Sequence, residues 1–202
     1  MNMKTMWAIS LVFLLSLLPQ AFAQNNAPIL SPIGAKAIDE GSHLEFVVTA
    51  TDADGDSLIY DVQNIPANAA FSDSGNGHGL FVFDPDYAQA GDYPVTFIVR
   101  DTANAADTEI VTITVNNVNR PPVLAAIGAK TVDEGSRLQF VITSTDPDGG
   151  TLTLTAENLP TNATFADSGN GHGLFIFDPD YAQSGLYDVR FIVSDGSLAD
   201  SE

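Results

Sequence analysis

The chain has 202 residues, 7 basic against 26 acidic, a formal charge of −19 and no cysteine. That charge repels nucleic acid and anionic lipid, and without thiols an exported domain must rely on its core or on bound metal. A hydrophobic fraction of 45%, set in periodic runs, excludes wholesale disorder.

At the N-terminus, Lys4 precedes an apolar run from Met6 to Leu18, and Ala21-Phe22-Ala23 places small residues where a signal peptidase cuts. The run is shorter than the about 20 apolar residues of a spanning helix and is interrupted by Ser10 and Ser16. Residues 1–23 therefore read as a cleavable signal peptide. The mature segment is expected to be secreted or held at the cell surface, without inserting directly into a membrane.

Beyond residue 24 the pattern becomes strict alternation of apolar and polar residues over short runs, the mark of half-buried antiparallel strands. Leu44, Phe46 and Val48 alternate, as do Tyr93, Val95, Phe97 and Val99, and then Val111, Ile113 and Val115. The spacing predicts seven strands over residues 35–38, 44–51, 58–64, 69–72, 80–83, 93–100 and 108–116. Clusters of Gly, Pro, Asn and Asp separate them, which points to a two-sheet, Greek-key sandwich. Gly91-Asp92-Tyr93 resembles the tyrosine corner of immunoglobulin-like sandwiches. Gly75, Gly77 and Gly79 suit a tight hairpin between the fourth and fifth strands.

Residues 29–108 return at 123–202 with a shift of 94, and 47 of the 80 aligned positions are identical. The shared words are KxxDEGS, DxDG and DSGNGHGLFxFDPDYAQxG. The chain is thus expected to hold two sandwich repeats, 26–119 and 120–202, joined by Asn117-Val118-Asn119-Arg120-Pro121-Pro122. In this alignment Glu202 falls opposite Thr108, so the second copy is expected to lack its last strand and to belong to a longer array.

In such a sandwich with the N-terminus at the top, the loops at 52–57 and 101–107 also lie at the top, while Glu40, Asp84 and Asp86 lie at the bottom. Stacking two copies brings those three acids toward Asp146, Asp148 and Asp195 of the next copy, with Asn117 and Asn119 between them. Six converging carboxylates repel one another unless a cation intervenes. Calcium suits such a set, because it takes 6 to 8 oxygens in loose geometry, whereas zinc or copper would want histidine or cysteine. Solubility in a salty exterior is the plainer account of the acids, and Asp and Gly are also ordinary turn formers. The top of copy one repeats the motif as a half site, with Asp52, Asp54, Asp56 and Asp101 near Asn25 and Asn26. Copy two has Gly150 where copy one has Asp56.

The DEGS word, the T-D-x-D-G loop, the FxFxPxYxQxGxYxVxFxVxD stretch, the DGSLADSE tail and the N-N-V-N-R-P-P-V-L linker resemble the bacterial cadherin-like and immunoglobulin-like repeats related to the dystroglycan-type cadherin domain. The resemblance covers essentially all of residues 26–202. It implies Ca2+ between successive domains, held by Glu40, Asp86 and less surely Asp84, by Asn117 and Asn119, and by Asp146 with Asp148; Asp195 matches the acid that follows the sixth strand. Cadherin linkers favour aspartates where this one has asparagines and Arg120, which implies fewer and weaker ions.

His78 and His172 lack a neighbouring nucleophile or second ligand, and the Asp84/Asp86 pair lacks a cleft, so no enzyme activity is expected. Phe81, Phe83, Phe175 and Phe177 offer either a sugar-stacking platform or, more commonly, core. The expectation is an extracellular adhesion or spacer module whose partners are other repeats of the same array, and a cell-surface protein or polysaccharide. The alternative is a calcium-independent spacer, or a carbohydrate-binding accessory module of a larger secreted enzyme.

Overall fold

The computed structural model describes residues 24–202, so the expected signal peptide lies outside the described residues. Every regular element among them is a strand. Copy one contains β1 (Ile29–Leu30), β2 (Lys36–Asp39), β3 (Leu44–Thr51), β4 (Ile59–Gln63), β5 (Ala69–Gly75), β6 (His78–Phe83), β7 (Gly91–Arg100) and β8 (Ala106–Asn116). Copy two contains β9 (Val123–Leu124), β10 (Leu138–Thr145), β11 (Thr153–Glu157), β12 (Ala163–Gly169), β13 (His172–Phe177), β14 (Arg190–Ser194) and β15 (Ala199–Ser201).

Copy one is a sandwich of two four-stranded sheets, ordered β1-β3-β6-β5 and β2-β8-β7-β4. Its first strand is split: β1 pairs antiparallel with β3, then the chain crosses over and β2 runs parallel to β8. Pro32, which has no amide to donate, and Gly34 at φ +69° mark the crossing. The crossing segment is held by Glu109, whose carboxylate accepts from the amides of Ile33 and Gly34 at 2.9 Å each. Sequence patterning did not indicate this split, nor the role of Glu109.

The inward faces meet in a core whose centre is Phe97. Its ring meets those of Phe46, Phe71 and Phe81 edge-on, with centroids 5.7–6.0 Å apart. Val48, Val95, Val99 and Ile113 close around them, all fully buried, and each such side chain stabilises the fold by roughly 1.5–3 kcal/mol. Phe81, Phe83, Phe175 and Phe177 are core residues, at most 6% exposed, which removes the sugar-stacking platform. The tyrosine corner is present in both copies: Tyr93 Oη donates to the Gln89 carbonyl and Tyr187 Oη to that of Gln183. Asn76 and Gly77, both at positive φ, turn β5 into β6. Gly77 is packed as well, since a Cβ there would lie 2.3 Å from the Ala50 carbonyl oxygen.

Copy two repeats the first sheet as β12-β13-β10-β9, but its second sheet has only β11-β14-β15. The loop before β15 is one residue shorter than the loop before β8, so the ungapped alignment slips there. Asp200, not Ser201, takes the place of Asp107: each aspartate accepts from a leucine amide, that of Leu124 or Leu30. Likewise Glu202 takes the place of Glu109, accepting from the amides of Ile127 and Gly128. The last strand of copy two is thus reduced to its first residues, where none was expected.

Candidate metal centre

At the top of copy one, the loop after β3 and the loop after β7 face each other across the sandwich. Asp52, Asp56 and Asp101 each offer a carboxylate oxygen there, with the three oxygens within 4.8 Å of one another. The Asp52 carboxylate is divided in use. Its Oδ1 accepts from the amides of Asp54 (2.8 Å) and Asp56 (3.3 Å), forming the loop, while Oδ2 is buried and has no hydrogen-bond partner. Asp101 is only 6% exposed; it accepts from Asn25 Nδ2 at 2.7 Å and from the Ala105 amide at 2.8 Å. Those donors, Asn25 first, hold its pKa below the usual carboxylate range and so keep it charged at neutral pH. Asp54 stands apart, because it is exposed and caps the Asn26 amide at 2.6 Å.

Three carboxylates within that span fit around a calcium ion, whose oxygen ligands sit about 2.3–2.6 Å from the metal. The Asp52 oxygen adds to this, since a buried acceptor without a partner costs roughly 1–3 kcal/mol. Asp52, Asp56 and Asp101 would hold the ion, and it would supply the missing electrostatic partner.

Most of the residues expected to gather at the joint have protein partners of their own. Glu40 is 3% exposed, and its two oxygens accept from the amides of Ala90 (2.9 Å) and Val118 (3.0 Å), so it ties the lower pole of copy one to the linker. Asp84 lies 2.6 Å from His43 Nδ1, and Asp86 caps the Ala88 amide beside Asn68 and Gln89. The Asn117 side chain is exposed, whereas Asn119 Nδ2 donates to Asp195 Oδ2 at 2.8 Å. Asp195 also accepts from the amides of Ser197 and Leu198; the Leu198 amide foremost, then Asn119, lowers its pKa. Asp146 Oδ1 accepts from the Asp148 amide and its Oδ2 is buried without a partner, as in Asp52. With Gly150 in place of Asp56 no third carboxylate joins them. Among the described residues, the acids that gather three ligand atoms within such reach are those of copy one's top.

A cation does occupy the joint, and it belongs to the chain. Arg120 donates from Nε and Nη2 to Asp148 Oδ1 at 2.8 and 2.5 Å and from its amide to Oδ2 at 2.6 Å. Its Nη2 also reaches the Pro147 carbonyl, and its guanidinium lies over the Tyr87 ring, 4.6 Å from the centroid. The hydrogen bond from Arg120 holds the Asp148 carboxyl below its usual pKa. Sequence reasoning missed this role, although the Asn26-to-Arg120 difference between otherwise matching loops was its signal.

Among the described residues no helix is long and apolar enough to cross a membrane. The chain is 28% identical over 129 residues to chitinase A of Pseudoalteromonas piscicida, a match that covers 63% of this chain and 16% of that protein. Among solved structures it resembles the extracellular cadherin domains 1–5 of protocadherin gamma B2, with TM-score 0.58 at 17% identity over 88% of this chain and 38% of that one. Domains 1–4 of protocadherin gamma B7 give 0.55 at 18% identity, over 88% of this chain and 48% of that one. The chain therefore spans less than half of each of these relatives. At such identities the protocadherins establish the fold alone. The bacterial immunoglobulin domain family matches residues 25–114 and again 119–202, so this chain belongs to that family, as two copies in tandem.

Proposed function

We propose that the two repeats form an extracellular spacer that holds its neighbours at a set distance for adhesion, with calcium bound at the top of copy one. The observation that carries the calcium assignment is the gathering of carboxylate oxygens of Asp52, Asp56 and Asp101 within 4.8 Å of one another, which the pole of copy two lacks. Domains of this family are typically extracellular, where millimolar calcium meets modules of about 10⁻⁴ to 10⁻³ M affinity. Saturation at that level contributes about 0.4 to 1.4 kcal/mol per site. Calcium thus secures two loops and leaves the stability of the fold to its core.

Calorimetric titration of residues 24–202 with calcium, and thermal unfolding with calcium and with chelator, test this reading. The expected result is one site and a rise in the copy-one transition of roughly 2–10 °C. Asp52→Asn and Asp56→Gly each abolish both signals. No binding heat at millimolar calcium, or binding that survives both variants, would contradict the assignment.

The partial match to a chitinase favours a second reading, in which the same repeats act as an accessory spacer within a secreted polysaccharide-degrading enzyme. Deleting the repeats from such an enzyme would then lower its turnover of insoluble substrate while sparing soluble oligosaccharide.

A further inference from the structure

The two upper poles of the chain are near copies, and they differ in which cation they are built to take. At the top of copy one, Asn26 donates its amide to Asp54 Oδ2 at 2.6 Å. At the top of copy two, the equivalent Arg120 makes the same amide contact to Asp148 Oδ2, also at 2.6 Å, and adds a guanidinium that closes on Oδ1. The Asp148 side chain is only 16% exposed beneath it. The guanidinium also touches the preceding repeat, through the Tyr87 ring.

The tyrosine is seated to receive it. Gly41 lies under Tyr87, and a Cβ at Gly41 would fall 2.6 Å from Tyr87 Oη; the glycine also holds φ +70°, which side chains rarely adopt. Its amide donates to the Pro85 carbonyl, fixing the loop that carries the tyrosine. The DEGS word therefore serves the joint twice: Glu40 binds the linker amide of Val118, and Gly41 lays down the ring on which Arg120 stacks. Copy two repeats the platform: a Cβ at Gly135 would fall 2.8 Å from Tyr181 Oη. Among the described residues no arginine covers Tyr181, and it is 85% exposed against 45% for Tyr87.

We infer that Arg120 is the recognition residue of the inter-repeat interface, a cation supplied by the chain that bridges Tyr87 of one repeat to Asp148 of the next and keeps them aligned without a divalent ion. By the same chemistry, the lower pole of a repeat fits a partner repeat that carries arginine at this linker position. The inference rests on the spacer reading, in that it makes the joint the mechanical element. It does not depend on where calcium binds.

The chain has no native cysteine, so spin labels can be placed on exposed strand positions of each copy with Thr112→Cys on β8 and Thr155→Cys on β11. Pulsed dipolar spectroscopy of residues 24–202 then reads the spread of inter-repeat distances. The expected result is a narrow distribution in chelator that does not sharpen with millimolar calcium. Arg120→Asn at least doubles its width, and Tyr87→Ala, which leaves the Asp148 pair intact, widens it by a smaller factor. Amide spectra of both cores confirm that the variants remain folded. An unchanged width in either variant overturns the inference, as does a wild-type distribution that narrows on adding calcium. Asp52→Asn abolishes the calcium heat of copy one yet leaves the width unchanged, so failure of the calcium assignment and failure of the arginine bridge give different results.

Discussion

Copy one and copy two carry nearly the same words, yet among the described residues only copy one has a full second sheet. Lys36–Asp39 is a strand because it pairs in parallel with Ile113–Asn116 of β8. The same stretch in copy two, 130–133, reads KTVD for KAID and is not a strand, since β15 does not reach it. Likewise β7 has ten residues where β14 has five. Val95 is fully buried and its counterpart Val189 only partly so, while Leu186 is fully exposed. Strand formation at these positions is thus set by the partner strand and not by the residues themselves. Where both neighbours are present, as for β3 and β10, the two copies agree in length and register.

The sharpest way to break this comparison is to supply the strand. Appending the sequence of residues 110–118 after Glu202 should turn 130–133 and 185–189 into paired strands and bury three further aliphatic side chains, a gain on the order of 5 kcal/mol for copy two. Scanning calorimetry should show copy two melting first in residues 24–202, and the two transitions converging in the extended chain. A smaller effect separates the two glutamates of the DEGS words. Glu40→Gln presents an amide donor to the buried amides of Ala90 and Val118 and should cost copy one about 1–3 kcal/mol. Glu134→Gln, at a carboxylate that accepts no hydrogen bond among the described residues, should stay within about 0.5 kcal/mol in residues 24–202.

The smallest effect is a pH dependence confined to copy one. His43 faces Asp84 where copy two has the Arg137–Asp178 pair. The hydrogen bond and charge of Asp84 raise the His43 pKa above its ordinary value of 6.5. Its stabilisation is therefore complete below pH 6.5 and fades as pH rises through the raised pKa, whereas the Arg137 pair persists. Proton NMR titration should show the His43 midpoint falling toward 6.5 in Asp84→Asn, and His43→Arg should remove the pH dependence at that position.

The alternation of Leu44–Thr51 predicted β3 to the residue, and the Phe-x-Phe words predicted core, because burial on one face of a pleated strand leaves a period-two trace. The split of the first strand between two sheets left no such trace. It depends on Glu109 reaching the amides of Ile33 and Gly34 from a distant strand. The acids of the joint were legible as acids, but the protein donors that meet most of them were not. Asp86 and Asp195 find backbone amides within a few residues, Glu40 finds those of distant Ala90 and Val118, and a carboxylate satisfied in that way need not converge on an ion. Asp52 and Asp146 follow the same rule with one oxygen and break it with the other, and only Asp52 has two further carboxylates within reach, a distinction available only from three-dimensional placement.

The difference between the two upper poles is tested most directly by following backbone amides of residues 24–202 during a calcium titration by NMR. The account predicts saturable shifts at residues 52–57 and 101–105, with residues 146–150 and 195–198 unmoved because Gly150 removes the third carboxylate and Asp148 is already paired with Arg120. Equal shifts at both poles, or shifts confined to the joint, would contradict it.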